Sequence, residues 1–99
     1  TGRARTRQGE TLLLKTGIGL ERAGRAAQAA CRAADLALLL SSGCAGALAA
    51  ELAPGDLLIA ASVGVAHQPP LPTDRARREQ ALDAARRAGL TPRTGHVLS

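Results

Sequence analysis

Phenylalanine, tyrosine, tryptophan and methionine are all missing from this 99-residue chain, and lysine occurs once. Without aromatic rings no aromatic side chain is available to stack a nucleobase, which argues against single-stranded nucleic-acid recognition. The core also lacks its usual main contributors, since each aromatic side chain buries roughly 150–250 Å². What remains is 16 Leu, 3 Val and 2 Ile amid abundant alanine. An alanine methyl contributes about 0.8 kcal/mol on burial, whereas ordering each residue costs about 1.5 kcal/mol. The composition therefore predicts a marginal core. The lack of any Met, even at position 1, predicts that the chain is truncated.

Other absences narrow the setting. Cys31 and Cys44 have no framework spacing and read as reduced thiols, which predicts a cytoplasmic protein. The longest apolar stretch, Leu57 to Ala66, is broken by Ser62 and Gly64 and is too short for a membrane span, so no membrane partner is expected. The net charge of +5 and pI near 11.0 would suit a nucleic-acid surface. However, many of the arginines lie beside acids in helical stretches, as in Glu21, Arg22 and Arg25 or Asp83, Arg86 and Arg87, which describes solvated helix faces. No nucleic-acid partner is expected. Arg3, Arg5 and Arg7 read as a frayed end.

The order of elements is that of an α/β domain. Thr11 to Thr16 is a short apolar run ending at glycines, as in a buried strand. From Glu21 to Ala34, Ala23, Ala26, Ala27, Ala30, Cys31 and Ala34 recur at helical spacing opposite Arg22, Arg25, Gln28 and Arg32. Asp35 to Leu40 is nearly all apolar, which predicts a parallel strand covered on both faces. Pro54-Gly55-Asp56 is a turn before a strand at Leu57 to Val65, and His67 to Pro72 is an extended connector. A second helix is predicted over Asp74 to Ala88, capped by Thr73 or Asp74 and stopped by Gly89. Arg93 to Leu98 reads as a last strand. The β-α-β succession predicts right-handed crossovers and a mostly parallel sheet covered by both helices.

Two glycine loops follow strand ends, where open α/β sheets bind ligands. In Thr16-Gly17-Ile18-Gly19 the glycines let backbone approach a ligand in front of a helix N-terminus, which favours electron-rich groups. Arg22 stands where a dinucleotide fingerprint would need its third glycine, so no such cofactor is expected. The bland alternative is a tight strand-to-helix turn. The second loop, Ser41-Ser42-Gly43-Cys44-Ala45-Gly46-Ala47-Leu48, offers two hydroxyls, a thiol and several backbone N–H groups, suited to a sugar or phosphate.

Taken together, Leu-Leu-Leu-Lys-Thr-Gly-Ile-Gly, the Ala-rich helix, Asp-Leu-Ala-Leu-Leu-Leu-Ser-Ser-Gly-Cys-Ala-Gly-Ala-Leu and Leu-Ala-Pro-Gly-Asp-Leu-Leu-Ile-Ala resemble the purine nucleoside phosphorylase and methylthioadenosine/S-adenosylhomocysteine nucleosidase superfamily. The resemblance implies a partial domain over residues 1–99 with a three-layer α/β/α sandwich, acting on a small-molecule nucleoside with phosphate or water as acceptor, and a homo-oligomer when full length. By position it makes Cys44, Ala45 and Gly46 the loop beside ribose, base and acceptor. Gly17, Ile18 and Gly19 become the flanking turn, with Ile18 a wall for the 5′ substituent. It implies that the acid protonating the purine and the glutamate gripping the ribose lie beyond Ser99, so no catalytic residue, metal or cofactor is assigned within the chain. Ser41 stands where many phosphorylases carry an arginine for phosphate, which tilts the expectation towards hydrolysis.

Two alternatives stay open. The chain could be a non-catalytic remnant of that family. Alternatively, Ser42-Gly43-Cys44-Ala45-Gly46 is a degenerate nucleophile elbow of a thiol-dependent α/β-hydrolase, with His67 or His96 as base.

Overall fold

A computed structural model describes residues 2–6 and 9–99, the first five of these by backbone alone. The chain divides into two units, Thr1–Ser42 and Gly43–Ser99.

In the first unit, β1 (Gly2–Thr6) and β2 (Gly9–Leu13) form an antiparallel hairpin with Gly2 opposite Leu13 and Thr6 opposite Gly9. The expected frayed end at Arg3 and Arg5 is thus a paired strand, and Arg7 lies outside the described residues. The strand expected at Thr11 to Thr16 is shifted towards Gly9, because pairing with β1 ends at Leu13. Helix α1 (Leu20–Ala33) falls where the alanine periodicity predicts it, with Ala30 buried and Ala26 and Ala27 half-buried. Its exposed side carries the Glu21–Arg25 ion pair, one turn apart, a geometry worth only a few tenths of a kcal/mol.

Asp35 to Leu40 is not a strand. These residues have no β-pairing, and Leu38, Leu39 and Leu40 are largely exposed. An apolar run becomes a strand only where neighbouring strands accept its backbone hydrogen bonds, and none lies beside this one among the described residues.

The second unit holds a three-stranded sheet in the order β4-β3-β5. β3 (Leu58–Gly64) runs parallel to β5 (Arg93–Leu98) and antiparallel to the two-residue β4 (Leu71–Pro72). The sheet is therefore mixed where a mostly parallel one was expected. The reason is the connector after β3: it doubles back at His67, whose φ is 65°, and lays Leu71 and Pro72 against Val63 and Ser62. Helix α2 (Arg75–Arg87) provides the crossover between the parallel strands and packs on β3 through its buried Leu82 and Ala85. Within its own unit the sheet is packed by α2.

Local chemistry fixes both ends of α2. Asp74 accepts a hydrogen bond from Arg77 N at 2.9 Å, satisfying one orphan donor of the first turn. At the other end Gly89 N bonds Arg86 O and Leu90 N bonds Ala85 O, both at 3.0 Å, which is a Schellman closure with Gly89 at φ 84°. Arg86 and Arg87 place positive charge on the last turn. Ahead of β3, Asp56 N bonds Ala53 O at 3.0 Å with Gly55 at φ 90°. Asp56 also accepts from Ala53 N at 2.9 Å and pairs with Arg93 Nε at 3.7 Å, joining this turn to the start of β5. A Gly89→Ala variant, forced to keep the left-handed backbone, should lose about 1–2 kcal/mol of stability, read as a lowered urea midpoint for α2.

The core is as thin as the composition predicts. Among the described residues only Ala30, Leu82 and Ala85 are buried. Sheet, crossover and helix make this an α/β protein.

Candidate functional site

The first glycine loop earns its glycines. Gly17 and Gly19 have φ of 83° and 105°, a region in which other residues are strained. Gly19 caps α1 with no side-chain bond to the first turn, leaving those backbone N–H groups presented to solvent. Ile18 between them is 93% exposed. The Arg22 side chain folds back over the turn, with Cδ 3.1 Å and Nη1 3.3 Å from where a Gly17 Cβ would lie. Arg22 therefore uses space that exists because residue 17 is glycine, and it brings a positive charge to the helix N-terminus.

The second loop, residues 41–48, has no regular structure and is exposed throughout. A Cβ on Gly43 or Gly46 would meet nothing within 4 Å. Cys44 is an exposed free thiol. The division between the two units falls inside this loop, so Gly17, Ile18 and Gly19 belong to the first and Cys44, Ala45 and Gly46 to the second.

The nucleophile-elbow alternative finds no support in this geometry. An elbow needs a strand before the nucleophile and a helix behind it; Asp35 to Leu40 is unpaired, and only a turn closed by Leu52 N to Ala49 O follows the loop. Among the described residues neither His67 nor His96 is hydrogen-bonded to Cys44, and His96 is engaged elsewhere.

That engagement is the feature the sequence did not reveal. The parallel register of β3 and β5 sets Ala60 opposite Gly95 and Ser62 opposite His96, so β3 advances two residues where β5 advances one. Ala61 is the extra residue of a β-bulge. Its carbonyl is held by Thr73 N at 3.0 Å, Thr73 Oγ1 at 3.2 Å and Arg78 Nη1 at 3.0 Å. Arg78 Nη1 also donates to Thr73 Oγ1 at 2.9 Å, and Thr73 Oγ1 to Ala60 O at 2.7 Å. In an unbulged strand Ser62 would share a face with Ala60, away from His96. With the bulge, Ser62 Oγ lies 2.8 Å from His96 Nδ1. Thr73 and Arg78 were legible only as a cap residue and a helix-surface charge.

No cluster of His, Cys, Asp and Glu among the described residues could hold a metal ion. Of the eight acids in the chain, Asp74 caps α2, Asp56 closes its turn, and Glu21 and Asp83 pair with Arg25 and Arg87. Among the described residues no helix is long and apolar enough to cross a membrane.

Comparison with known proteins agrees with the family resemblance. No curated protein and no solved structure matches the chain. The family model described as the phosphorylase superfamily matches residues 1–99, its whole length. The chain belongs to the phosphorylase superfamily, the family of nucleoside phosphorylases and nucleosidases.

Proposed function

We propose that this chain is part of an enzyme that cleaves the N-glycosidic bond of a purine nucleoside, with water favoured over phosphate as the acceptor. The observation that carries the reading is the family match over residues 1–99. The two glycine loops support it. Gly17, Ile18 and Gly19 form the turn flanking the substrate, and Cys44, Ala45 and Gly46 line the ribose, base and acceptor. In this reaction the bond from the sugar's anomeric carbon to the base breaks, the base leaves with a proton, and the acceptor oxygen bonds to the anomeric carbon. A general acid contributes about 10²–10⁴-fold to such a step. Four of the chain's acids are committed to caps, turns and ion pairs, and it is the family resemblance that assigns the acid, with the group that grips the ribose, to a segment outside residues 1–99. The enzyme is a cytoplasmic homo-oligomer.

Phosphorolysis is the second reading. Ser41 lacks the charge to hold a phosphate dianion, but Arg22 over the Gly17 turn places a guanidinium beside an uncapped helix N-terminus, and such termini bind phosphate readily.

Product analysis separates the two. The intact enzyme should release adenine and free methylthioribose from methylthioadenosine at the same rate with or without phosphate. A phosphate requirement, with sugar 1-phosphate as product, would replace hydrolysis by phosphorolysis. Residues 1–99 alone should release no adenine above a buffer blank, and turnover by that piece would refute the assignment of the acid.

A further inference from the structure

The bulge at Ala61 has a built architecture. Three donors converge on one carbonyl, two from Thr73 and one from Arg78, residues that lie 12 and 17 positions further along the chain. Bulges re-aim side chains and concentrate next to functional sites. The side chain re-aimed here is Ser62, and what it meets is an imidazole. The ring is placed by more than that one bond. The ring packs against Gly64 at van der Waals distance, its Cε1 and Nε2 lying 3.4 and 3.7 Å from the position a Cβ would take there, and Pro70 Cα lies 3.6 Å from the same position.

The alternation along β5 puts Gly95 and Val97 half-buried and Thr94, His96 and Leu98 exposed, so the ring stands on the uncovered face. It stands two residues from the carboxyl ends of two parallel strands, the end at which α/β sheets take ligands. His96 Nε2 has no hydrogen bond among the described residues. The tautomer follows from Ser62: a hydroxyl that donates to Nδ1 leaves Nε2 a donor, and one that accepts from it leaves Nε2 an acceptor. A ligand hydroxyl can answer either state, whereas a phosphate oxygen answers only the donor.

We propose that His96 is a ligand-contacting residue that hydrogen-bonds a sugar hydroxyl through Nε2, with Ser62 as the positioning residue and the Thr73–Arg78 clamp on Ala61 setting the geometry. This rests on the nucleoside reading and adds to it a sugar contact on β5.

In the intact enzyme, the Hε1 signal of His96 is the one missing from the proton NMR spectrum of a His96→Gln variant. Adenosine is expected to shift the His96 signal, while adenine and inorganic phosphate leave it in place. A Ser62→Ala variant with an unchanged far-ultraviolet circular dichroism spectrum should bind adenosine about 2–10-fold more weakly. A merely structural serine would not change that affinity. Adenosine shifts elsewhere in the spectrum with His96 unmoved would overturn this inference and leave the nucleoside reading standing. Equal His96 shifts with adenine or with phosphate would make the contact a base or anion contact and overturn the hydroxyl assignment. No adenosine-dependent shift anywhere would overturn both.

Discussion

Replacing Leu82 with alanine is expected to remove cooperative unfolding from the second unit. Leu82 is the one large side chain buried among the described residues, at 7% exposure, and it joins α2 to the sheet with Ala85 as its only buried companion in that unit. Leucine-to-alanine changes at buried sites cost about 2–5 kcal/mol, from lost transfer energy and the cavity left behind. Native domains are stable by only about 5–15 kcal/mol, and a unit with so little buried surface sits at the bottom of that range. Urea titration followed by circular dichroism should show the sigmoidal transition of the parent replaced by a gradual decline. Leu82→Met keeps the volume and should cost less than about 1.5 kcal/mol. A Leu82→Ala protein with the parent's midpoint would show that the apolar contact between α2 and β3 is not what holds the unit together.

The second large effect concerns the loop at residues 43–46. In the intact enzyme, Gly46→Val should lower kcat/KM by about 100-fold or more, the penalty expected when a ligand is displaced by about 1 Å. The fold itself should not object. A Cβ at Gly46 meets nothing within 4 Å, and its backbone is not in the left-handed region. The loss would therefore report space meant for a ligand, and an unchanged thermal midpoint should accompany it. Cys44→Ser should stay within about threefold of the parent, because exchanging a thiol for a hydroxyl alters one weak hydrogen bond at most. A thiol nucleophile would give the opposite pattern, with Cys44→Ser inactive and iodoacetamide abolishing turnover. Measuring both variants on a nucleoside and on an activated ester decides between these chemistries.

The legible parts of this molecule are those governed by neighbours in sequence. Helix α2 carries its start in Asp74 and its stop in Gly89, and both act locally as their chemistry dictates. The turn at Pro54-Gly55-Asp56 and the strand at Arg93–Leu98 were likewise readable from the residues they contain. Two of the failures involve partners distant in sequence. Asp35 to Leu40 has a strand's composition, but composition does not supply the flanking strands it would need. Gly2–Thr6 alternates arginine with small residues, a period of two that could have been read as a strand but looked like a charged end. Nothing local to Ser62 or His96 marks their meeting, which depends on a register shift and on a carbonyl clamped by Thr73 and Arg78. The six proposed site residues were legible as loops and by family resemblance, and the bulge was not legible at all.

The margins of the three-stranded sheet are unequal, and this has a consequence for self-association. On one side β4 is two residues long and ends at Pro72, which has no amide hydrogen to donate. That margin cannot template another chain. On the other side β5 runs for six residues with a single described neighbour, so its outer backbone groups form a continuous ladder facing away from β3. Unsatisfied ladders recruit whatever strand is at hand. Accretion onto this sheet is consequently directional: it can lengthen beyond β5 and is blocked beyond β4. The amides of Arg93 and Ser99 donate to β3, so those of Thr94, His96 and Leu98 face outward; a proline placed at Leu98, or a lysine at Thr94, would blunt the open side just as Pro72 blunts the closed one.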